Sequence, residues 1–380
     1  MSGHEAPVKI VSVMTTSSAG GAEFAAIEML DALGRRGHDV VMLSNWEDIG
    51  NGTNVPVRQL ELGPKLSTRT WRGLIAQWPL YLRSLTGALR SELPYDVLLV
   101  HYKKEQMMVP ALPRRLRPMV AWAEWGPVPF QLRRGIPRLG YVLAARRAAL
   151  VMAVSPGTKR SVEDVGIPAG KVVHVPNVID VEEVRFRPDA RVAVRERLDI
   201  PPDAFVVGCM SRFHPKKRND VVVDAVIEMD DPGVHLIMAG DGETEAALRA
   251  QAAPLRERAH FIETPRGYVA DVLSTFDVSV FCPSPTEGAP RATILSMLAS
   301  RACLATGPEG VADLIRPGFG TIAQPSDNPH ALADVLREYR SDPERCRREG
   351  EAGRGWAERE FAAPIVAERI EELLLSAARE

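Results

Sequence analysis

The chain has 380 residues, more than one ordinary domain needs and about right for two. With 45% hydrophobic and 25% charged residues it falls outside the disordered and collagen-like classes. A formal net charge of −2 excludes a nucleic-acid binder held by bulk charge.

Cys209, Cys282, Cys303 and Cys346 form no C-x-x-C pair and read as reduced thiols, which points to the cytoplasm. The opening "MSGHEAPVKIVSVM" has no charged segment followed by a long apolar run, and no run approaches a spanning helix. A soluble protein is expected, one still able to rest on the inner face of a membrane.

In chain order, "VKIVSVM" (8–14) is a buried-strand run and "TTSSAGGAE" a small-residue loop. "FAAIEMLDALGRRGH" has helical spacing, and "DVVMLS" is the next strand. This β-loop-α-β start predicts a parallel sheet. Further strands are predicted in "YDVLLVHY" (95–102), "MVAWAEW" (119–125), "ALVMAVS" (149–155) and "KVVHVPNVID" (171–180).

A polar, Pro-containing stretch at roughly 180–203 separates this half from a second start. "AFVVGCMSRFHPKKRND" (204–220) is strand then loop, and "VVVDAVIEM" begins a helix. "VHLIMAGDGE" is a strand ending in Gly-Asp-Gly, and "ETEAALRAQAAPLRERA" reads as one helix. "VSVFCPSPTEG" is a strand running into a loop, "ACLAT" the strand after the next helix, and "APIVAERIEELLLSAAR" a closing helix. The reading is two α/β domains, residues 1–178 and 179–362, with parallel sheets facing a central cleft. Residues 363–380 are expected to pack back on the first domain.

Chemistry concentrates in the loops after strands. Arg212, Lys216, Lys217 and Arg218 in "SRFHPKKR" suit phosphate, because arginine forks onto two oxygens and lysine supplies a point charge. A solvated basic turn is the alternative. Gly240 and Gly242 of "AGDGE" permit close backbone approach to a ligand, or simply a tight turn.

In "EGAPRAT", Gly288 and Ala289 precede a helix start with Pro290 in the first turn, where anions rest on backbone amides. Glu287 then points at whatever a bound phosphate carries, or serves only as an acidic cap. Gly20 and Gly21 precede the first helix, but neither G-x-G-x-x-G nor a P-loop occurs. No metal cluster with sensible ligand spacing appears.

Together these segments resemble the retaining, nucleotide-sugar-dependent glycosyltransferases of the GT-B fold, family 4. "GGAE" with "LGRRGHDVVMLS", "VMAVSPGTKRSV", "VVHVPNVID", "SRFHPKKRND", "HLIMAGDGE", "FCPSPTEGAP" and "GPEGVADLIRPGFG" carry the resemblance in register over nearly the whole chain. It implies that the first domain binds an acceptor (small molecule, glycan or lipid-linked) and the second a nucleotide diphosphate sugar. Arg212 and Lys217 would neutralise the leaving diphosphate, and Glu287 would hold sugar hydroxyls. No metal and no nucleic acid are implied as partners. A UDP-linked donor is expected first, with a dTDP-linked one as the alternative. A non-catalytic sugar-nucleotide binder and an epimerase of the same fold are the competing readings.

Two departures bear on this. The family pattern carries a second glutamate eight residues after the first, for the nucleotide ribose. Here that position is Leu295, which cannot accept a hydrogen bond. Either another group holds the ribose, or the donor is a deoxyribonucleotide, or the chain binds without transferring. In the first domain, the strand "VAWAEWGPVP" ends in Glu124 and Trp125, where the family commonly has a histidine. Glu124 is a candidate to polarise an acceptor hydroxyl and Trp125 to stack on a sugar, and His101 ends the neighbouring strand. Packing is the alternative for all three. Finally, residues 114–147 are rich in arginine, with Arg133, Arg134, Arg138, Arg146 and Arg147 interleaved with apolar residues. This predicts contact with anionic lipid or a phosphorylated acceptor, or a solvated helix face.

Overall fold

The computed structural model describes residues 6–15, 20–66, 70–284, 287–307, 309–325 and 328–379. The chain forms two compact units: Met1–Ile179 with Ala363–Glu380, and Asp180–Ala362.

The first unit holds a seven-stranded sheet. Its strands are β1 (Lys9–Val13), β2 (Asp39–Ser44), β3 (Val57–Gln59), β4 (Val97–Val100), β5 (Met119–Glu124), β6 (Leu150–Ala153) and β7 (Val172–His174). The order is β3-β2-β1-β4-β5-β6-β7, and every pairing is parallel. Ile10 of β1 lies opposite Val40 on one side and Val97 on the other. β4 and β5 are buried along their whole length, which is why they read as unbroken apolar runs.

One face of this sheet is covered by the helices Gly21–Arg35 and Ala363–Arg379, whose Ile27, Leu30, Val366 and Ile370 share a core with Ile10 and Leu99. The Ala363 amide bonds the Ile179 carbonyl at 2.9 Å, which turns the last helix back onto the unit. The opposite face is covered by the helices Trp71–Ala76, Trp78–Ser91, Lys103–Met108 and Gly135–Ala145, through Leu74, Leu85, Met108 and Tyr141.

The second unit holds a six-stranded sheet of β8 (Phe205–Met210), β9 (Val234–Ala239), β10 (Ala259–Ile262), β11 (Val278–Phe281), β12 (Ala302–Thr306) and β13 (Gly320–Ala323). The order is β10-β9-β8-β11-β12-β13, again all parallel. In each sheet the winding direction reverses once: between β1 and β4, and between β8 and β11. Open parallel sheets bind ligands at the carboxyl ends of strands flanking such a reversal.

Two expectations are corrected. Residues 243–259 are not one helix: the helix is Glu245–Gln251, followed by a 3₁₀ segment in which Arg256 has φ +52°. Pro254 has no N–H to continue the ladder. The stretch 180–203 is not all connector, because it contains the helix Pro188–Arg197. Arg191 and Arg195 clamp that region to Asp277 at 2.6 and 2.9 Å, just before β11.

Candidate active site

In the second unit the loops after β8 and β11 meet at the reversal. The Ser284 amide bonds the Lys216 carbonyl at 2.8 Å, joining loop to loop. The Lys217 ammonium donates to Glu287 Oε2 at 2.8 Å, and both side chains are about three-quarters buried. Arg212 is exposed, and its guanidinium has no partner among the described residues. The loop after β8 thus carries a cation restrained by a carboxylate and, five residues before it, an unrestrained one. A diphosphate entering here can draw Lys217 away from Glu287, which frees the carboxylate for hydroxyl donors.

The loop itself is rigid by construction. Arg218 sits in the left-handed region (φ +50°) and reverses the chain into the helix Asn219–Met229. Asn219, which no motif singles out, is buried. Its Oδ1 accepts from Ser211 Oγ at 2.9 Å and Cys209 Sγ at 3.5 Å, closing the loop from both ends.

Gly240 and Gly242, at φ +146° and +149°, are forced by the same loop. A Cβ at Gly240 would lie 2.1 Å from the Ser211 carbonyl oxygen, and one at Gly242 2.3 Å from that of Phe213. The close approach seen at these glycines is to protein backbone. Gly310 plays the same part for the other loop, since a Cβ there would meet the Gly288 carbonyl at 2.1 Å.

The helix after that loop is Arg291–Leu298, with Pro290 at its cap rather than in its first turn. The amides of Gly288, Ala289 and Arg291 therefore lead into the helix, and no side chain caps it. Leu295 is 7% exposed, on a helix buried from Thr293 to Leu298. Where the resemblance implies an acid, this chain packs a leucine.

In the first unit the strand ends form polar clusters of their own. Glu124 is 3% exposed. Its Oε2 accepts from the Lys103 ammonium, and its Oε1 from Gln106 Nε2 at 2.9 Å and Tyr141 Oη at 2.8 Å. Burial pushes the Lys103 ammonium down against the pull of Glu124, and pushes the Tyr141 phenol well up. The carboxylate expected to meet an acceptor hydroxyl is engaged by three protein donors.

Trp125 stacks on His101 (centroids 5.8 Å apart, planes 12° apart) and donates from Nε1 to Nδ1 at 3.2 Å. The His101 proton then lies on Nε2, which donates to Ser12 Oγ at 2.7 Å. Burial lowers this imidazole to about 3, so it is neutral at physiological pH. Gly20 caps the helix Gly21–Arg35 in extended geometry, accepting from the Phe24 amide at 3.1 Å.

Two carboxylates went unnoticed in the sequence because their partners are distant in the chain. Glu23 takes Lys65 Nζ at 2.6 Å and the Tyr102 hydroxyl. Burial opposes its ionisation, but these donors outweigh it and hold the group below the usual carboxylate range. Glu105 is fully buried and accepts from the Thr15 amide at 3.1 Å and the Thr15 hydroxyl. Burial raises its carboxyl above the usual range, opposed by Lys104 and Thr15.

Comparison with known proteins places this architecture. Residues 191–356 match the family "Glycosyl transferases group 1", and residues 19–183 match "Glycosyltransferase Family 4". The chain belongs to the group 1 glycosyltransferases. Its two parallel sheets are those of GT-B structures. HepE of Anabaena, solved in complex with UDP-glucose, superposes with a TM-score of 0.84 at 19% identity, covering 97% of this chain and 100% of that one. Sucrose-phosphate synthase of Thermosynechococcus elongatus superposes at 0.80 and 18% identity, covering 97% and 98%.

In sequence, the chain is 28% identical over 220 residues to the GDP-mannose-dependent monoacylated alpha-(1-6)-phosphatidylinositol monomannoside mannosyltransferase of Corynebacterium glutamicum, covering 54% of this chain and 56% of that protein. It is 27% identical over 248 residues to the D-inositol 3-phosphate glycosyltransferase of Streptomyces avermitilis, covering 61% and 52%. The chain spans about half the length of the curated relatives it matches.

Proposed function

We propose that the chain transfers a sugar from a nucleotide diphosphate donor to an acceptor hydroxyl, with retention of anomeric configuration. The observation that carries this is the Lys217–Glu287 ion pair, which ties the loops after β8 and β11 together at the strand reversal of the second unit, with Arg212 exposed in the first of those loops. The bond from the sugar anomeric carbon to the diphosphate oxygen breaks as the acceptor oxygen bonds the same face. The acceptor proton passes to the departing diphosphate, and Arg212 and Lys217 balance the charge that builds there. Glu287, released from Lys217, accepts from sugar hydroxyls and faces the positive ring. The helix start at Arg291 supplies amides to the phosphates.

A UDP-linked donor fits the UDP-glucose complex of HepE, and the mannosyltransferase relatives add GDP-linked donors to the candidates. Leu295 supports two narrower readings. A dTDP-linked donor, lacking the 2′-hydroxyl, demands less of this position, while a binder without transfer tolerates the lost acid. The acceptor belongs to the first unit, where Glu124 positions Lys103 and Tyr141.

The test is incubation with UDP-, dTDP- and GDP-sugars and a panel of polyol, glycan and lipid-linked acceptors, read as released nucleoside diphosphate and by NMR of the product anomer. Release with a retained anomer supports the proposal. Diphosphate binding with no release for any pair favours the binder. An inverted anomer refutes the front-face step.

A further inference from the structure

We propose that one face of the first unit is a docking surface for a bilayer carrying anionic lipid. The helix Gly135–Ala145 has two opposite sides. Tyr141, Ala144 and Ala145 are in the core, while Ile136, Leu139 and Leu143 form a stripe at spacings of three and four that faces solvent. Ile136 is 85% exposed and Phe130, in the turn before the helix, 71%. The neighbouring helices on the same side of the sheet expose Trp71, Ile75 and Leu80. Among the described residues, seven of the eleven exposed large apolar side chains therefore sit on elements covering this one sheet face. A soluble surface scatters such residues singly, whereas a concentration on one side marks something that covers it.

Charge selects the occupant. Residues 62–91 contain five cations (Lys65, Arg69, Arg72, Arg83 and Arg90) and no carboxylate. Residues 107–149 contain eight arginines and one carboxylate, Glu124, which is buried against Lys103. Arg114, Arg115, Arg134, Arg146 and Arg147 are exposed. The whole chain is net −2, so the positive charge is gathered on these segments and the remainder is net acidic. An apolar stripe flanked by arginines matches an interfacial helix, whose apolar face enters the headgroup boundary while guanidinium groups meet lipid phosphates. A second copy of this chain would set arginines against arginines, which disfavours self-association through the same face.

This inference is independent of the transfer reading, because it is tested with neither donor nor acceptor present. The experiment is co-sedimentation of the full chain with vesicles of phosphatidylcholine alone, or with a third of the lipid as phosphatidylglycerol. The wild type is expected to bind the mixed vesicles about tenfold more tightly than the neutral ones, and more weakly as salt rises. Ile136→Asp with Leu139→Asp, and separately Arg146→Glu with Arg147→Glu, should each weaken binding about tenfold at unchanged melting temperature. Val192→Asp with Ile365→Asp, exposed apolar positions on other elements, should leave it unchanged. Failure of the wild type to bind mixed vesicles would overturn the proposal, as would full binding by the Ile136/Leu139 variant. Analytical ultracentrifugation showing a dimer that this variant dissolves would also overturn it, by giving the face to a second copy.

Discussion

Replacing Lys217 by methionine removes one charge at nearly constant side-chain length and separates two accounts of that lysine. If the residue serves stability alone, its worth is that of the Lys217–Glu287 pair: 2.8 Å, with side chains 27% and 24% exposed. Pairs this open to solvent contribute about 0.2–1 kcal/mol. For a unit of this size that lowers the melting temperature by no more than about 4 °C. If instead the ammonium meets the leaving diphosphate, its removal costs about 2.7–4 kcal/mol in the transition state, or about 10²–10³ in kcat.

The assay pairs steady-state release of nucleoside diphosphate with differential scanning fluorimetry on the same samples. The expected result is a loss of kcat of about two to three orders of magnitude at a melting temperature within about 4 °C of wild type. The variant also leaves the Glu287 carboxylate facing the diphosphate without a counter-charge. Adding Glu287→Gln should therefore recover diphosphate affinity but not turnover. A Lys217→Met enzyme with kcat within about threefold of wild type, or one losing activity only as far as it loses stability, would refute the reasoning.

Other expectations follow from the same geometry. Gly242→Ala forces a Cβ to 2.3 Å from the Phe213 carbonyl at φ +149°, so urea unfolding should show the second unit destabilised by several kcal/mol, about 3 or more. Lys103→Met leaves the Glu124 carboxylate buried without its cation and should cost about 3–5 kcal/mol, much of it regained when Glu124→Leu is added; a melting curve for each variant decides.

His101 has its imidazole depressed to about 3, against an unfolded value near 6.5. Its contribution is therefore complete above about pH 6.5 and is lost as pH falls toward 3, reaching about 2 kcal/mol by pH 5. Comparing urea midpoints of wild type and His101→Asn from pH 7 to 5 should show this slope removed in the variant. Leu295→Glu places a carboxylate at a position 7% exposed, so the apo protein should melt lower, with a ribonucleoside diphosphate restoring more of the loss than a deoxyribonucleoside diphosphate does.

The fold was legible wherever burial was two-sided. "VLLV", "MVAWAE" and "VSVF" read as strands because both their faces are covered, leaving runs that are apolar but for Glu124 and Ser279. The edge strands β3, β10 and β13 were not, since three or four half-covered residues such as "VRQ" carry no apolar signature. The chemistry followed the same division. A cationic loop and an acidic loop were each visible, but their ion pair spans 70 positions and exists only because β8 lies beside β11. Gly240 and Gly242 announced a close approach without revealing that the partner is the backbone of the Ser211–Phe213 turn. Glu124 was visible as an acid at a strand end, whereas its donors come from the helices at Lys103–Met108 and Gly135–Ala145. An arginine-rich stretch was visible from 114 to 147, but not that Ile136, Leu139 and Leu143 turn outward while Tyr141 turns in.

The central claim is that a nucleoside diphosphate seats on the loops after β8 and β11. Hydrogen exchange of the wild type, with and without saturating UDP, dTDP or GDP, tests it most directly. The account predicts slowed exchange at the amides of residues 211–219 and 287–293 with at least one of the three, and loss of that protection in Arg212→Ala with Lys217→Ala. Unchanged exchange in both loops with all three nucleotides, or protection confined to other strand ends, would contradict it.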